Sequence, residues 1–249
     1  PPEIACAVAK TVECGSAWAF DAPSATDAGG TNVITVLSTT TNVSGHCGNT
    51  LDATRTWVAT DACGNTNTCS QTVNVVDTTG PAITCATNKT VEIGTAWTFD
   101  APTATDAGGA NTITVLNTTT NVSGHCGNTF DATLTWVATD ECGNTNTCSQ
   151  TVNVVDTTAP TITCVSGKTV ECGSAWTFDV PSATDAGGTN TIMILSTATN
   201  VSGHCGNTFD ATRTWVATDE CGNTNSCSQT VNVADTTGPV IACATNKTV

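Results

Sequence analysis

The 249 residues carry 21 acidic side chains against 6 basic ones, a formal charge of -15, and 11% of them are charged while 39% are hydrophobic. So acidic a chain lacks the clustered cations that nucleic acid or an anionic membrane surface requires, and its apolar content suits a buried core, not a disordered acidic tail. Fifteen cysteines beside one Met and no Tyr point to an oxidising compartment, since so many thiols in reducing cytosol would need a metal to hold them.

Trp18, Trp97 and Trp176 recur at a spacing of 79, as do Trp57, Trp136 and Trp215 and also His46, His125 and His204. The chain therefore reads as repeats at 1–79, 80–158 and 159–237, with the start of a fourth at 238–249, and it is expected to be a stretch of something longer. The first two repeats differ at 15 of 79 positions, five of them Ser/Thr/Ala exchanges. Units this long exceed the roughly 20–50 residues of a solenoid repeat, so each is expected to be a small domain with its own core. No apolar run approaches the ~20 residues that span a bilayer, so no membrane insertion is expected in this segment.

Helix signals are absent, and β-branched residues alternate with polar ones between Gly, Asn, Asp and Pro punctuation. In chain order the first repeat predicts strands near Glu3–Cys6, Lys10–Glu13, Ala17–Asp21, Val33–Leu37 and Thr40–Ser44. A longer strand over Thr50–Thr60 puts Leu51, Ala53, Trp57 and Ala59 on one face, and Asp61-Ala62-Cys63-Gly64-Asn65 turns it into a last strand with Cys69, Val73 and Val75 inward. Six or seven short strands in 79 residues predict an all-β fold of tandem immunoglobulin-like β-sandwich domains, stabilised by disulfides. Successive repeats join through Val76-Asp77-Thr78-Thr79-Gly80-Pro81 and its equivalents, a linker short enough to predict a semi-rigid rod.

The run Ala59-Thr60-Asp61-Ala62-Cys63-Gly64-Asn65, then Cys69, the Asp-Thr-Thr-x-Pro junction and Ile83-Thr84-Cys85 resembles the hyalin-repeat (HYR) modules found in tandem in bacterial surface proteins and some animal extracellular proteins. The resemblance covers every repeat end to end. It implies an immunoglobulin-like fold and an adhesive or structural role outside the cell, with no enzymatic activity. Many bacterial members have a cysteine where this chain has Ala28-Gly29, Ala107-Gly108 and Ala186-Gly187, so the family's disulfide pairing does not carry over.

Strand direction predicts the pairing instead. Cys47 and Cys63 are separated by a strand of about ten residues, roughly 33 Å, against the under 7 Å that a disulfide bridges, which excludes that bond. Cys14–Cys47 and Cys172–Cys205 are expected at the lower end of their domains, and two of Cys6, Cys63 and Cys69 at the upper end. Ile93 replaces the cysteine that would match Cys126, leaving Cys126 an orphan: a free thiol, or a cross-link to a neighbouring domain or chain.

Other chemistry is sparse. No Gly-x-Ser-x-Gly, His-Glu-x-x-His or phosphate loop occurs, so no catalytic residue and no enzyme is expected. His46-Cys47 with Cys63 and Cys69 lacks a close Cys-x-x-Cys pair for zinc. No cofactor is required, and calcium is the one candidate: linker Asp77 meets the top of the next domain, where Asp106 and Asp140 lie in adjacent loops, and converging carboxylates suit a hard cation. The competing reading has these aspartates serving turns and solubility. Sequons at Asn42, Asn88, Asn117, Asn121, Asn200 and Asn246 are candidate glycan acceptors.

These features predict a structural segment of a long extracellular or cell-surface stalk or filament, associating with copies of itself. The alternative is an adhesin whose repeats bind a glycan, a protein or another surface ligand.

Overall fold

The computed structural model describes residues 1–243, which form strands and no helix; none of them belongs to a helix long and apolar enough to cross a membrane. The chain forms two compact units. One comprises Pro1–Asn88, Thr98–Thr119 and Thr133–Thr151, and the other Lys89–Trp97, Thr120–Ala132 and the chain from Val152 on.

In the first unit, repeat 1 supplies β1 (Glu3–Ala5), β2 (Lys10–Glu13), β3 (Ser24–Thr26), β4 (Val33–Asn42), β5 (Leu51–Thr60) and β6 (Thr66–Val76). β1 and β3 pair antiparallel, while the second sheet has the order β2-β6-β5-β4, with β2 parallel to β6 and the remaining pairs antiparallel. These two layers make the immunoglobulin-like sandwich. Its core is the inward alternation of β5 and β6: Ala53, Trp57, Ala59, Val73 and Val75 are buried. Arg55 lies on the same face and caps this core with its guanidinium 4.4 Å from the centre of the Phe20 ring, and Phe20 stands edge-on to Trp57 at 6.0 Å. On the wet face of the same strands, Thr54 meets Thr72 and Thr56 meets Ser70 through hydroxyl contacts of 2.9 and 2.8 Å, the cross-strand pairing a solvated sheet face favours.

Three of the strand expectations need correction. Val33–Leu37 and Thr40–Ser44 are one strand, β4, kinked by a register shift between Val36 and Ser38. Ala17–Asp21 is not a strand, because its backbone finds a side chain where a ladder was expected: Asp21 N–H donates to Oε1 of the buried Gln71 at 2.9 Å. Gln71 Nε2 in turn donates to Val8 O and to Asp21 Oδ2, so one amide from β6 holds two loops. Trp18, within the expected Ala17–Asp21 strand, is 37% exposed.

Repeat 2 supplies β7 (Ala82–Thr84), β8 (Lys89–Glu92), β9 (Thr103–Thr105), β10 (Asn111–Asn121), β11 (Phe130–Asp140) and β12 (Thr145–Val155), with the sheet orders β7-β9 and β10-β11-β12-β8. Repeat 3, wholly in the second unit, supplies β13 (Thr161–Thr163), β14 (Lys168–Glu171), β15 (Ser182–Thr184), β16 (Asn190–Asn200), β17 (Phe209–Asp219) and β18 (Thr224–Ala234). Its sheets, β13-β15 and β14-β18-β17-β16, repeat the first arrangement, as do the buried Ala211, Trp215, Ala217, Val231 and Val233. In every repeat the outermost long strand leaves apolar side chains in solvent: Val36 and Leu37, Val115 and Leu116, Met193, Ile194 and Leu195.

The latch is also an electrostatic device. The hydrogen bond from Gln71, then Lys10 at 2.9 Å, holds the Asp21 carboxyl below its ordinary pKa, and Gln229 and Lys168 do the same to Asp179. Because the folded pKa is depressed, this stability is complete above the unfolded-chain value near 4 and is lost as pH falls through the folded one. Thermal melts are expected to show a fall in Tm on acidification below about pH 4, shallower in Gln71→Ala. That variant should lose about 1–3 kcal/mol at neutral pH in urea titrations, the cost of stranding buried polar partners.

Candidate functional site at the repeat junctions

The junctions gather most of the chain's unusual chemistry. After β4, the turn at Cys47–Thr50 closes on itself, with Thr50 N–H donating to Cys47 O and Cys47 N–H to Thr50 Oγ1 at 3.0 and 3.1 Å. This turn lies against the 106–109 loop of repeat 2: Asn49 N–H donates to Gly108 O at 2.8 Å and Asn49 Nδ2 to Ala107 O at 2.9 Å. A Cβ on Gly48 would lie 1.8 Å from Gly108 O, so only glycine permits the approach. The turn thereby presents Cys47 to the β11–β12 hairpin, and Cys47 is bonded to Cys142 with Cα atoms 5.1 Å apart. In the second unit Asn128 donates to Gly187 O at 2.9 Å and Cys126 is bonded to Cys221, Cα atoms 5.0 Å apart.

These bonds correct the expected pairing. Cys14–Cys47 and Cys172–Cys205 do not form; Cys14, Cys63, Cys172 and Cys205 carry free thiols, with Cys243. The expectation paired Cys47 within its own repeat, whereas its turn faces the next one; Cys14 Sγ lies 3.4 Å from Ala107 O, and Cys172 Sγ meets Asn207 O at 3.5 Å in place of the Cys205 sulfur. Of the two readings of Cys126, a free thiol or a cross-link, the structure shows the cross-link, to Cys221 of the next repeat. Of the three upper cysteines it is Cys6 and Cys69 that bond, as do Cys85–Cys148 and Cys164–Cys227, each over a separation of 63 residues. Each ties the strand before it to the last strand of the repeat, beside the core tryptophan that pairs with Cys69 in register.

The linker is fastened as well. Glu13 at the end of β2 accepts from Thr78 N–H and from the Thr78 and Thr79 hydroxyls at 2.8–2.9 Å, and Glu92 holds Thr157 and Thr158 alike. Those bonds, the Thr78 backbone bond foremost for Glu13, lower its pKa. Asn144 Nδ2 of the hairpin donates to Asp77 O at 3.1 Å, and Asn223 Nδ2 to Asp156 O at 3.2 Å.

Acidic groups converge beside these linkers. In the second unit Asp156, Asp185 and Asp219 each place a carboxylate oxygen within 4.8 Å of the others. In the first unit Asp77 and Asp140 lie within the same distance of one another and of the Cys142 sulfur, which is spent on its disulfide and offers no thiolate; Asp106 acts electrostatically on Asp77. Asp140 is satisfied by its own turn, accepting from Cys142 N–H, Asn144 N–H and Asn144 Nδ2. The linker aspartates are not: Oδ2 of Asp77, of Asp106 and of Asp156 is buried without a hydrogen-bond partner.

The remaining expected positions are dispersed. His46, His125 and His204 sit 3.3, 3.2 and 3.3 Å from Asp52, Asp131 and Asp210, and with Cys47 and Cys69 in disulfides there is no zinc set around His46. Asn42, Asn88, Asn117, Asn121 and Asn200 are exposed, while Asn246 lies outside the described residues. The side-chain oxygens of Asn42, Asn121 and Asn200 cap the turns at Ser44, Ser123 and Ser202. Sequence reasoning missed the Glu13 clamp and Cys142 and Cys221. The available signal was recurrence: the positions of Cys47 and Cys63 hold cysteine in every repeat, and that of Cys14 does not.

The fold and its covalent frame define a tandem array of disulfide-linked immunoglobulin-like domains. The model of the HYR domain matches residues 1–75, 76–154 and 155–233, and the chain belongs to the HYR domain family. No curated protein matches it. Among solved structures it is similar to the protocadherin GammaB4 extracellular domain, at 11% identity and a TM-score of 0.36, over 94% of this chain and 51% of that one, so it spans about half that protein's length. It is similar also to human CDH23 EC21-23, at 14% identity and 0.37, covering 90% and 97% of the two chains, and to mouse cadherin-23 EC22-24, at 13% and 0.32, covering 94% and 99%.

A thiol-reactive reagent added to the unreduced, denatured chain is expected to label Cys14, Cys63, Cys172, Cys205 and Cys243 alone. On the native chain the exposed Cys63 and Cys205 should react first and Cys14 last, since burial, and then the charge of Asp77, push its thiol pKa up. A peptide map that links Cys14 to Cys47 would contradict the junction described above.

Proposed function

We propose that the chain is a load-bearing segment of an extracellular or cell-surface stalk or filament, with adhesion to copies of itself along its length. The observation that carries this reading is the path of the disulfides. Each of Cys6–Cys69, Cys85–Cys148 and Cys164–Cys227 joins residues 63 apart, so tension applied at the two ends runs through the sulfurs and bypasses almost the whole of each domain. Between bypasses only the 16 residues from Cys69 to Cys85, or from Cys148 to Cys164, can lengthen. The bonds Cys47–Cys142 and Cys126–Cys221 then hold each junction when it is bent. Five disulfides need an oxidising compartment to form.

Self-association is supported by β4, β10 and β16. Each is a long strand at the edge of its sheet, apolar at several exposed positions and without a charge or proline, and such an edge is a template for strand addition by another chain. The edge recurs once per repeat, so two chains in register would meet at several places at once.

Pulling on single oxidised molecules tests the mechanical reading. Each unfolding event is expected to release no more than about 16 residues, ~55 Å of contour at 3.3–3.6 Å per residue; after reduction the steps should lengthen to the full repeat, ~270 Å. Full-length steps from the oxidised chain would end the load-bearing reading.

A further inference from the structure

We propose that each repeat junction is a calcium site, formed by Asp77, Asp106 and Asp140 at the first and by Asp156, Asp185 and Asp219 at the second. Three observations converge at the second site. Asp156 is only 8% exposed, and its Oδ2 has no hydrogen-bond partner, although a buried charge ordinarily costs several kcal/mol unless something pairs with it. Asp185 and Asp219 each bring a carboxylate oxygen within 4.8 Å of it, while its other oxygen accepts from Thr158 N–H at 3.2 Å. The backbone is cut away to admit it: a Cβ on Gly187 would lie 1.7 Å from Asp156 Oδ2. At the first site Asp77 is half-buried, Asp77 Oδ2 and Asp106 Oδ2 are unpartnered, a Cβ on Gly108 would again lie 1.7 Å from Asp77 Oδ2, and Asp140 brings a carboxylate oxygen within 4.8 Å of Asp77.

Carboxylate oxygens within 4.8 Å of one another match two ligands across an ion bound at about 2.3–2.6 Å. Calcium fits this set better than zinc, which favours nitrogen and sulfur ligands, and better than magnesium, which binds at about 2.0–2.1 Å and keeps most of its water. Repeat 1 supplies the internal contrast. Asp61, the counterpart of Asp140 and Asp219, makes the same turn bonds to Cys63 N–H and Asn65 N–H, but no linker aspartate precedes it in this chain. The turn therefore forms without a linker aspartate, and among the described residues the buried unpartnered carboxylate oxygens lie at Asp77, Asp106 and Asp156.

Equilibrium dialysis and calorimetry of the oxidised, chelator-stripped chain against calcium chloride test the proposal, with magnesium chloride as the comparison. We expect two calcium ions per chain and weaker magnesium binding. Asp156→Asn should reduce the count to one, and Asp77→Asn with Asp156→Asn to none. Calcium at about a hundred times its dissociation constant should shift the folding equilibrium of the region it binds about a hundredfold, seen as a rise in Tm that the double variant lacks. In chelator the double variant should melt no lower than the parent, because neutralising one member of a crowded acidic set relieves repulsion; this also shows that it folds. Absence of binding at several millimolar calcium overturns the proposal. So does a count unchanged by the substitutions, which would assign the ions to scattered surface acids.

Discussion

The constraint on which this protein depends is the smallness of its cores. The buried apolar side chains of the first repeat are Pro2, Ala53, Trp57, Ala59, Val73 and Val75, two of them alanines. Domains of this size bury a modest share of their surface and are marginal by hydrophobic burial alone. The chain compensates with bonds that do not depend on area. A disulfide joins the two sheets beside the core tryptophan, a buried glutamine from the last strand takes the place of ladder bonds for two loops, and threonine hydroxyls pair across the wet face. The disulfide within each repeat thus helps so small a unit to fold.

The same economy explains the junctions. Neighbouring domains of ordinary proteins meet over interfaces that leave them free to move, and these repeats have little apolar surface to spend there. They use backbone instead. Gly48 lets its turn approach the 106–109 loop to hydrogen-bond distance, Glu13 folds the linker threonines back on its own domain, and the Cys47–Cys142 bond closes the arrangement covalently. Each part comes from a different element, so a junction is complete only when both repeats are folded.

Much of this was legible in the sequence because period-two alternation and exact repetition are strong local signals. Leu51 to Ala59 and Cys69 to Val75 declare their faces, and Asp61 with Gly64 declares the hairpin. What failed was whatever depended on a partner far along the chain. Trp18 and Phe20 alternate with alanine as in a strand, but the backbone at Asp21 is bonded by a glutamine 50 residues later, and no local pattern encodes that. The disulfide error has a similar origin: Cys14 and Cys47 were treated as parts of one domain, while the pairing of Cys47 is set by the neighbour that its turn faces. Ile93 held the corrective. If repeat 2 keeps Cys126 without a cysteine at the position of Cys14, the bond at Cys126 must leave the repeat or not exist. The acidic junction was readable as a set of residues, because Asp77 sits in the linker itself. The unpartnered oxygens and the glycines that make room for them are properties of packing.

Charge and edge strands act against each other. The exposed edges β4, β10 and β16 lack the lysines and prolines that commonly protect such strands, although register shifts at Val36/Ser38 and Ile194/Ser196 interrupt two of them. A formal charge of -15 opposes that attraction, since like-charged chains repel over a range of about 8–10 Å at physiological salt. Short-range strand addition is therefore held in check by a longer-range repulsion. Ionic strength, and any divalent cation held by the acids, weakens the repulsion and leaves the edges unchanged. On the proposed function, covalent chemistry then fixes the length and stiffness of a single chain, while the ionic medium decides whether chains gather side by side.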